Sequence, residues 1–167
     1  MIKKNLIIIF FLFLTTNSYS KETIAYIDID YIFRNSNIGK KIISTLNKKN
    51  EDNLTKLKAK QVLLEKDEKN LKIKKKLLSE SEFNKKLTDL RSKIKLYRIE
   101  KDDLVKNFEK KKNDEVKIFF IKVNPILEKY MSENSIKIVI DKKNVLIASD
   151  NLDITEDIYN LVNKELK

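Results

Sequence analysis

The sequence has no cysteine, no histidine and no tryptophan, and only one glycine and one proline in 167 residues. Each shortage excludes something. Without cysteine there is no disulfide scaffold and no thiol nucleophile. Without histidine, the usual metal ligand and the usual general base near neutral pH are missing. A single glycine cannot build a phosphate-cradling loop. So little Gly and Pro also argues against a loop-rich globular fold. Carboxylate-only chemistry is what these absences leave open to an enzyme; no catalytic, metal or cofactor residue is assigned, and the chain reads as a non-enzyme.

Long hydrophobic runs are also scarce. The one unbroken apolar stretch is Leu6 to Leu14, preceded by Lys3 and Lys4 and followed by Ser18 and Ser20 around Tyr19. It is far short of the ~20 residues that span a bilayer. A basic start, a short apolar centre and a small-x-small site make residues 1–20 a secretory signal peptide, cleaved after Ser20. The mature chain is expected to begin at Lys21 and to be exported. With no cysteine following the site, a lipoprotein is excluded.

What the sequence has in abundance is charge, 37% of all residues. Much of it lies in one long helical stretch. Leu57, Leu64, Leu71 and Leu78 are spaced by seven, and so are Phe83, Leu90, Tyr97 and Leu104. Leu87, Ile94 and Phe108 add a second track to the later set, with Lys101 in the remaining slot. This is the seam pattern of a coiled coil. Between the halves, Ser79-Glu80-Ser81-Glu82 contains an S-x-x-E capping box, which starts a new helix. If the chain folds back there, Leu78 faces Phe83, Leu71 faces Leu90, Leu64 faces Tyr97 and Leu57 faces Leu104. Each pair of residue numbers totals 161, a register that two independent helices have no reason to share. The competing arrangement is one continuous helix in a parallel coiled coil, since neither Gly nor Pro interrupts positions 40–124.

The first helix is expected over 40–78, about 58 Å long at 1.5 Å per residue. Its other seam track is poor: Leu54 is followed by Gln61, Glu68 and Lys75. The second helix is expected from about Ser81 to Asn124, with Pro125 kinking or restarting it before Ile126 to Glu133 and Asn134 as its cap. Outside the hairpin, Thr23 to Asp30 reads as a strand buried on both faces. A helical turn over Tyr31 to Asn35 follows, and Gly39 serves as a joint of unusual backbone dihedrals. Ile136, Ile138 and Ile140 mark another strand, Lys142-Lys143-Asn144 a turn, and Val145 to Ala148 the returning strand of a hairpin. A last helix, capped by Asp153 with Glu156 or by Thr155 alone, carries Ile158, Leu161, Val162 and Leu166 on one face. The fold class is mostly α with a small β base (α+β). Residues 21–39 and 124–167 form the base and 40–123 the antiparallel arm.

Residues 40–117 hold 25 Lys and Arg against 14 Asp and Glu, whereas residues 118–167 hold 7 against 8. The arm thus carries the excess positive charge. Such an arm attracts acidic protein or anionic lipid, with a strength that falls as salt rises. Few arginines and no aromatic stacking surface speak against nucleic acid. Val62, Leu63, Ile73, Leu96, Ile99 and Val105 lie off the seam, with Val62 and Ile99 at one level of an outer face. If they face a shared cavity, they offer weak, adaptable contacts to an unfolded client.

The whole chain resembles the Skp/OmpH family of periplasmic chaperones. The resemblance rests on the signal peptide, I-A-Y-I-D-I-D-Y-I-F-R-N-S at 24–36 with G-K at 39–40, and the charged hairpin. It rests further on N-P-I-L at 124–127, I-V-I-D-K-K-N-V-L-I-A at 138–148 and D-I-T at 153–155. The sequence departs from the family in its poor heptads and its Lys/Ile/Asn bias. The resemblance implies a periplasmic homotrimer whose strands join in a central barrel. Three arms then enclose unfolded outer-membrane proteins without ATP. On that reading Val62, Leu63, Ile73, Leu96, Ile99 and the lysines Lys72, Lys74, Lys75 and Lys76 contact the client. Ile24, Ile27, Ile138 and Ile140 lie on strands too few to bury them in one copy, and three copies closing a barrel cover them. Anionic lipid or lipopolysaccharide is a further partner that the cationic arm admits. No residue-by-residue match carries over a lipopolysaccharide site. The alternative function is that of a structural coiled-coil protein of the envelope, a spacer or tether.

Overall fold

A computed structural model describes residues 23–166. The signal peptide and its cleavage site lie outside the described residues. The element order is β1 (Thr23–Ile27), α1 (Ile29–Asn35), α2 (Asn37–Lys74), α3 (Glu80–Glu133), β2 (Ile136–Asp141) and α4 (Thr155–Glu165), with 3-10 turns at Lys142–Asn144 and Asp150–Leu152. The α+β class expected from the sequence is what the structure shows.

β1 and β2 form a two-stranded parallel sheet, Ile24 opposite Ile138 and Tyr26 opposite Ile140. A parallel pair needs a crossover, and here α1 and the two long helices make it. β1 is shorter than the sequence suggested. The Asp28 carboxylate accepts from Tyr31 N and caps α1, so Ile29 and Asp30 are helical. The strand is also less buried than expected: Ala25, Tyr26 and Ile27 are buried but Ile24 is exposed. The expected hairpin after β2 is absent. Lys142–Asn144 turns, but 145–148 joins no strand among the described residues, and Leu146 and Ile147 stand 101% and 90% exposed. The described base therefore has two paired strands, and one further isolated bridge runs from Tyr26 in β1 to Asp153.

The core gathers both chain ends. Ala25, Ile27, Ile32, Ile42, Leu46, Phe119, Val123, Ile126, Ile136, Ile154, Ile158 and Val162 make one cluster. Phe119 is fully buried, with the Phe33 ring edge-on at 4.9 Å. A polar network fastens α4 to β1. Thr155 Oγ1 accepts from Asp28 N and donates to Asp153. Asp153 in turn pairs with Lys142, whose ammonium lies over the Tyr26 ring. The N-cap position of α4 is Ile154, which has no side-chain bond, but the Asp153 carboxylate still accepts from Thr155 N at 2.9 Å and so satisfies a donor of the first turn. The Tyr130 hydroxyl donates to Asp157 on α4 at 2.5 Å. Burial first and then that carboxylate push its pKa up to about 12.

Gly39 does not supply an unusual dihedral. It lies inside the first turn of α2, and no glycine has positive φ; Ser135 is the one described residue with φ in that region, at 55°. A Cβ at position 39 would stand 1.7 Å from the carbonyl oxygen of Phe33. The glycine is there so that the end of α1 can touch the start of α2. α2 begins at its Ser36 cap and ends at Lys74, short of Leu78, with Leu77 and Leu78 N–H groups closing turns onto the Lys74 carbonyl. α3 starts on the expected capping box, the Ser79 hydroxyl bound by Glu82 N and the Glu82 carboxylate by Ser79 N. It then runs continuously through Pro125 to the Asn134 cap.

Candidate functional site: the hairpin arm

α2 and α3 lie antiparallel, as the shared register requires. Leu71 and Leu90 are buried together at one level. Leu64 and Tyr97 share the next. Leu57, Leu78, Phe83, Leu87, Ile94, Leu104 and Phe108 are half-buried, and Lys101 in the poor slot is exposed. This apolar ladder joins the two helices. The continuous parallel coiled coil is not formed. Cysteines at 64 and 97, in a chain with no other cysteine, are expected to form a disulfide within one chain on mild oxidation. Non-reducing electrophoresis checks this, and a product linking only separate chains would contradict it.

The second track is not the one the sequence suggested. Leu54 is 58% exposed, and Gln61, Glu68 and Lys75 are exposed as well. The positions beside the seam are Asn53, Lys60, Asp67 and Lys74, one step earlier in each heptad. Asn53 is buried. Lys60 and Lys56, the latter at 2.9 Å, pair with Glu100 across the hairpin, and Lys93 pairs with Asp67 at 3.2 Å. An apolar ladder is therefore flanked on one side by an ionic one. Hydrogen bonds from Lys60 and Lys56 hold the Glu100 carboxyl below its usual range. The Lys93 ammonium is held above its own, by Asp89 first and Asp67 second. Apart from Leu54, both 54-61-68-75 and 53-60-67-74 are polar, so periodicity could not choose between them. The complementary signs at 60 and 100, and at 67 and 93, were the available signal once the register was known.

Of the sequence-derived client residues, the structure brings Leu63 and Leu96 together. With Lys60, Leu64, Asp67, Lys93, Tyr97 and Glu100 they line a cleft of about 330 Å³ on the ionic side of the arm. Val62, Ile73 and Ile99 do not join them. Each stands two residues, or 200°, from a seam residue, and so points away from the partner helix. Val62 and Ile99 thus share a level but lie on opposite backs of the hairpin, not on one face. They are 55% and 48% exposed.

The far end of the arm concentrates lysine. Lys72 is tied to Glu68 at 2.7 Å, and Lys75 lies over the Phe83 ring at 5.8 Å. Lys74 reaches the groove beside Leu71 and Leu90. Lys76 and its neighbour Leu77 are exposed, Leu77 by 82%. Sequence reasoning missed Leu77 because it was assigned to the body of the helix and not to the turn.

At the base, the four isoleucines divide. Ile27 is buried in the chain's own core, against expectation, because its face of the sheet packs on the helices. Ile24, Ile138 and Ile140 are on the other face, 48%, 52% and 37% exposed. Leu146 and Ile147 are exposed as well. Among the described residues no group of three or more His, Cys, Asp or Glu is placed to hold a metal ion.

The fold defines the class: a small two-stranded base bearing a long, charged, antiparallel helical arm. The chain belongs to the OmpH-like outer membrane protein family, whose model matches residues 23–162. A similar crystal structure is that of a Caulobacter crescentus CB15 protein, assigned as an OmpH-like outer membrane chaperone. The two align with a TM-score of 0.81 at 15% sequence identity, over 87% of this chain and 86% of that one. At that identity the likeness is one of fold. No curated protein matches the sequence.

Proposed function

We propose that this protein is an ATP-independent holdase of the periplasm, which keeps unfolded outer-membrane proteins from aggregating on their way to the outer membrane. One observation carries the reading. The longest part of the molecule is an arm with a thin seam, exposed apolar side chains and surplus positive charge, and it rises from a base that buries the chain's main core. Such an arm has little to offer a small, defined ligand. It suits a large, variable client held by many weak contacts, whose combined strength comes from effective concentration. In this reading 21–39 and 124–167 are the base and 40–123 the arm. Family membership and the similarity to a protein assigned as a chaperone support it. The test is light scattering after dilution of a urea-denatured outer-membrane β-barrel protein, without nucleotide. The protein should suppress the signal. A spacer or tether would leave it unchanged.

Self-association follows from the base. A two-stranded sheet is marginal alone; among the described residues no further strand continues it on the β2 side, and Ile24, Ile138 and Ile140 are exposed. Three copies joining edges into a closed barrel would cover all of these. Sedimentation at micromolar concentration should give a trimer, and a monomer would contradict the proposal.

The lysines of the arm's end draw in acidic clients and favour anionic lipid nearby. Client capture should slow as salt rises, since steering acts mainly on association. Replacing Lys72, Lys74, Lys75 and Lys76 by Gln should reproduce that slowing at low salt and leave the trimer intact. Stopped-flow fluorescence checks this, and an unchanged association rate removes the electrostatic part of the mechanism.

A further inference from the structure

The cleft between Leu63 and Leu96 differs in kind from the rest of the arm. Residues 40–117 carry a large positive excess, yet the cleft is neutral. Its two lysines, Lys60 and Lys93, are matched by Glu100 and Asp67 across the hairpin. Its interior is apolar, made by Leu63, Leu64, Leu96 and the ring of Tyr97. The outer two leucines are the exposed ones, at 61% and 66%, so burying them is the gain that an occupant would bring.

We infer that this cleft receives one uncharged aromatic side chain of an extended polypeptide. The inference rests on the holdase reading and assigns the place where the arm grips apolar segments. The volume, about 330 Å³, lies at the small end of ligand pockets. A cleft of that volume suits one large side chain and not a whole helix, ~10 Å across with its side chains. Because its cations are already paired, it does not select a phosphate or a lipid headgroup. An aromatic ring satisfies what remains. It can meet the Tyr97 ring edge to face and lie beneath a lysine ammonium at the rim. The carboxylates of Asp67 and Glu100 can accept from the N–H groups of the same extended chain. Three arms would present three such clefts, so a client with several aromatic residues would be held at several points. The arm thus divides its work: charge at the far end sets the rate of capture, and the mid-arm cleft sets retention.

Helical geometry supplies a control. Leu54 is nine residues before Leu63, and Val105 nine after Leu96. Nine residues are two and a half turns, which puts Leu54 and Val105 on the opposite side of the hairpin. They are also 58% and 55% exposed, so exposure is matched and only the face differs. A photo-crosslinking benzophenone residue placed at 63 or 96 in the full exported chain should label a urea-denatured outer-membrane β-barrel protein on dilution. The same residue at 54 or 105 should label it several-fold less. The double variant L63S/L96S should bind that client roughly ten-fold more weakly by fluorescence titration, from the loss of two buried leucines. L54S/V105S, which removes only two of the many weak contacts outside the cleft, should lose several-fold less. A client with its aromatic residues changed to leucine should lose the difference between the two double variants. Equal labelling at all four positions would overturn the inference. So would copy-to-copy labelling that persists whether or not client is present, or unchanged binding by L63S/L96S. If the unsubstituted chain itself holds no client, the holdase reading fails. If it holds client and L63S/L96S holds it equally well, only the cleft assignment fails.

Discussion

Phe119→Ala is expected to cost about 3–5 kcal/mol, the range for removing a large side chain from a packed core. Phe119 comes from α3 but sits fully buried among residues of both chain ends, with Phe33 edge-on to its ring. Its loss leaves a void lined by Ile and Val residues that α1, α3 and α4 hold at fixed spacing, so collapse is limited. Against a typical total of 5–15 kcal/mol, this is a large fraction of stability. The melting temperature followed by circular dichroism should fall by at least several degrees. Protein concentration must be fixed, because the proposed self-association would shift apparent stability. An exposed control, Ile121→Ala, at a site 69% exposed, should change little.

Gly39→Ala is the second large effect, and it adds only one methyl group. That methyl would lie 1.7 Å from the Phe33 carbonyl oxygen and 2.7 Å from its carbon. Both are backbone atoms of a short helix that cannot move without disturbing Ile32 and Phe33 in the core. Overpacking against a rigid neighbour costs about 1–3 kcal/mol, occasionally more, and a clash this short belongs at the upper end. Urea unfolding should show a lower midpoint with an unchanged slope. A variant as stable as the parent would mean that α1 and α2 can separate freely. If the joint needed only backbone freedom, alanine would be harmless, since Gly39 is helical.

These two residues also show what the sequence could and could not reveal. The capping box at Ser79 and Glu82 was legible because both partners lie within one turn. The register of the arm was legible because apolar residues repeat by seven on both helices. Gly39 was seen as special for the wrong reason, because the atom it must avoid belongs to another element. The tracks beside the seam were misassigned for a related reason. Asn53, Lys60 and Asp67 look no more seam-like than Leu54, Gln61 and Glu68, and only the charges facing them, on Glu100 and Lys93, decide. Val145 to Ala148 has a strand composition, but a strand forms only where a ladder partner exists, and the described residues of one chain provide none. The same stretch leaves Leu146 and Ile147 without cover, the kind of surface that marks an interaction site. Ile27 went the other way. Alternation placed it on a strand, but only the packing of the helices decided which face of the sheet would be covered.

In the proposed function a self-associating base carries arms that retain unfolded clients. The most direct test mixes the protein with a urea-denatured outer-membrane β-barrel protein, dilutes out the urea without nucleotide, and measures the mass of the soluble product by native mass spectrometry. The account predicts one client bound to three copies of this chain, with the client's amide protons exchanging at the rate of an unfolded chain. A client that precipitates while the protein stays free would contradict it, as would a product in which the client has folded.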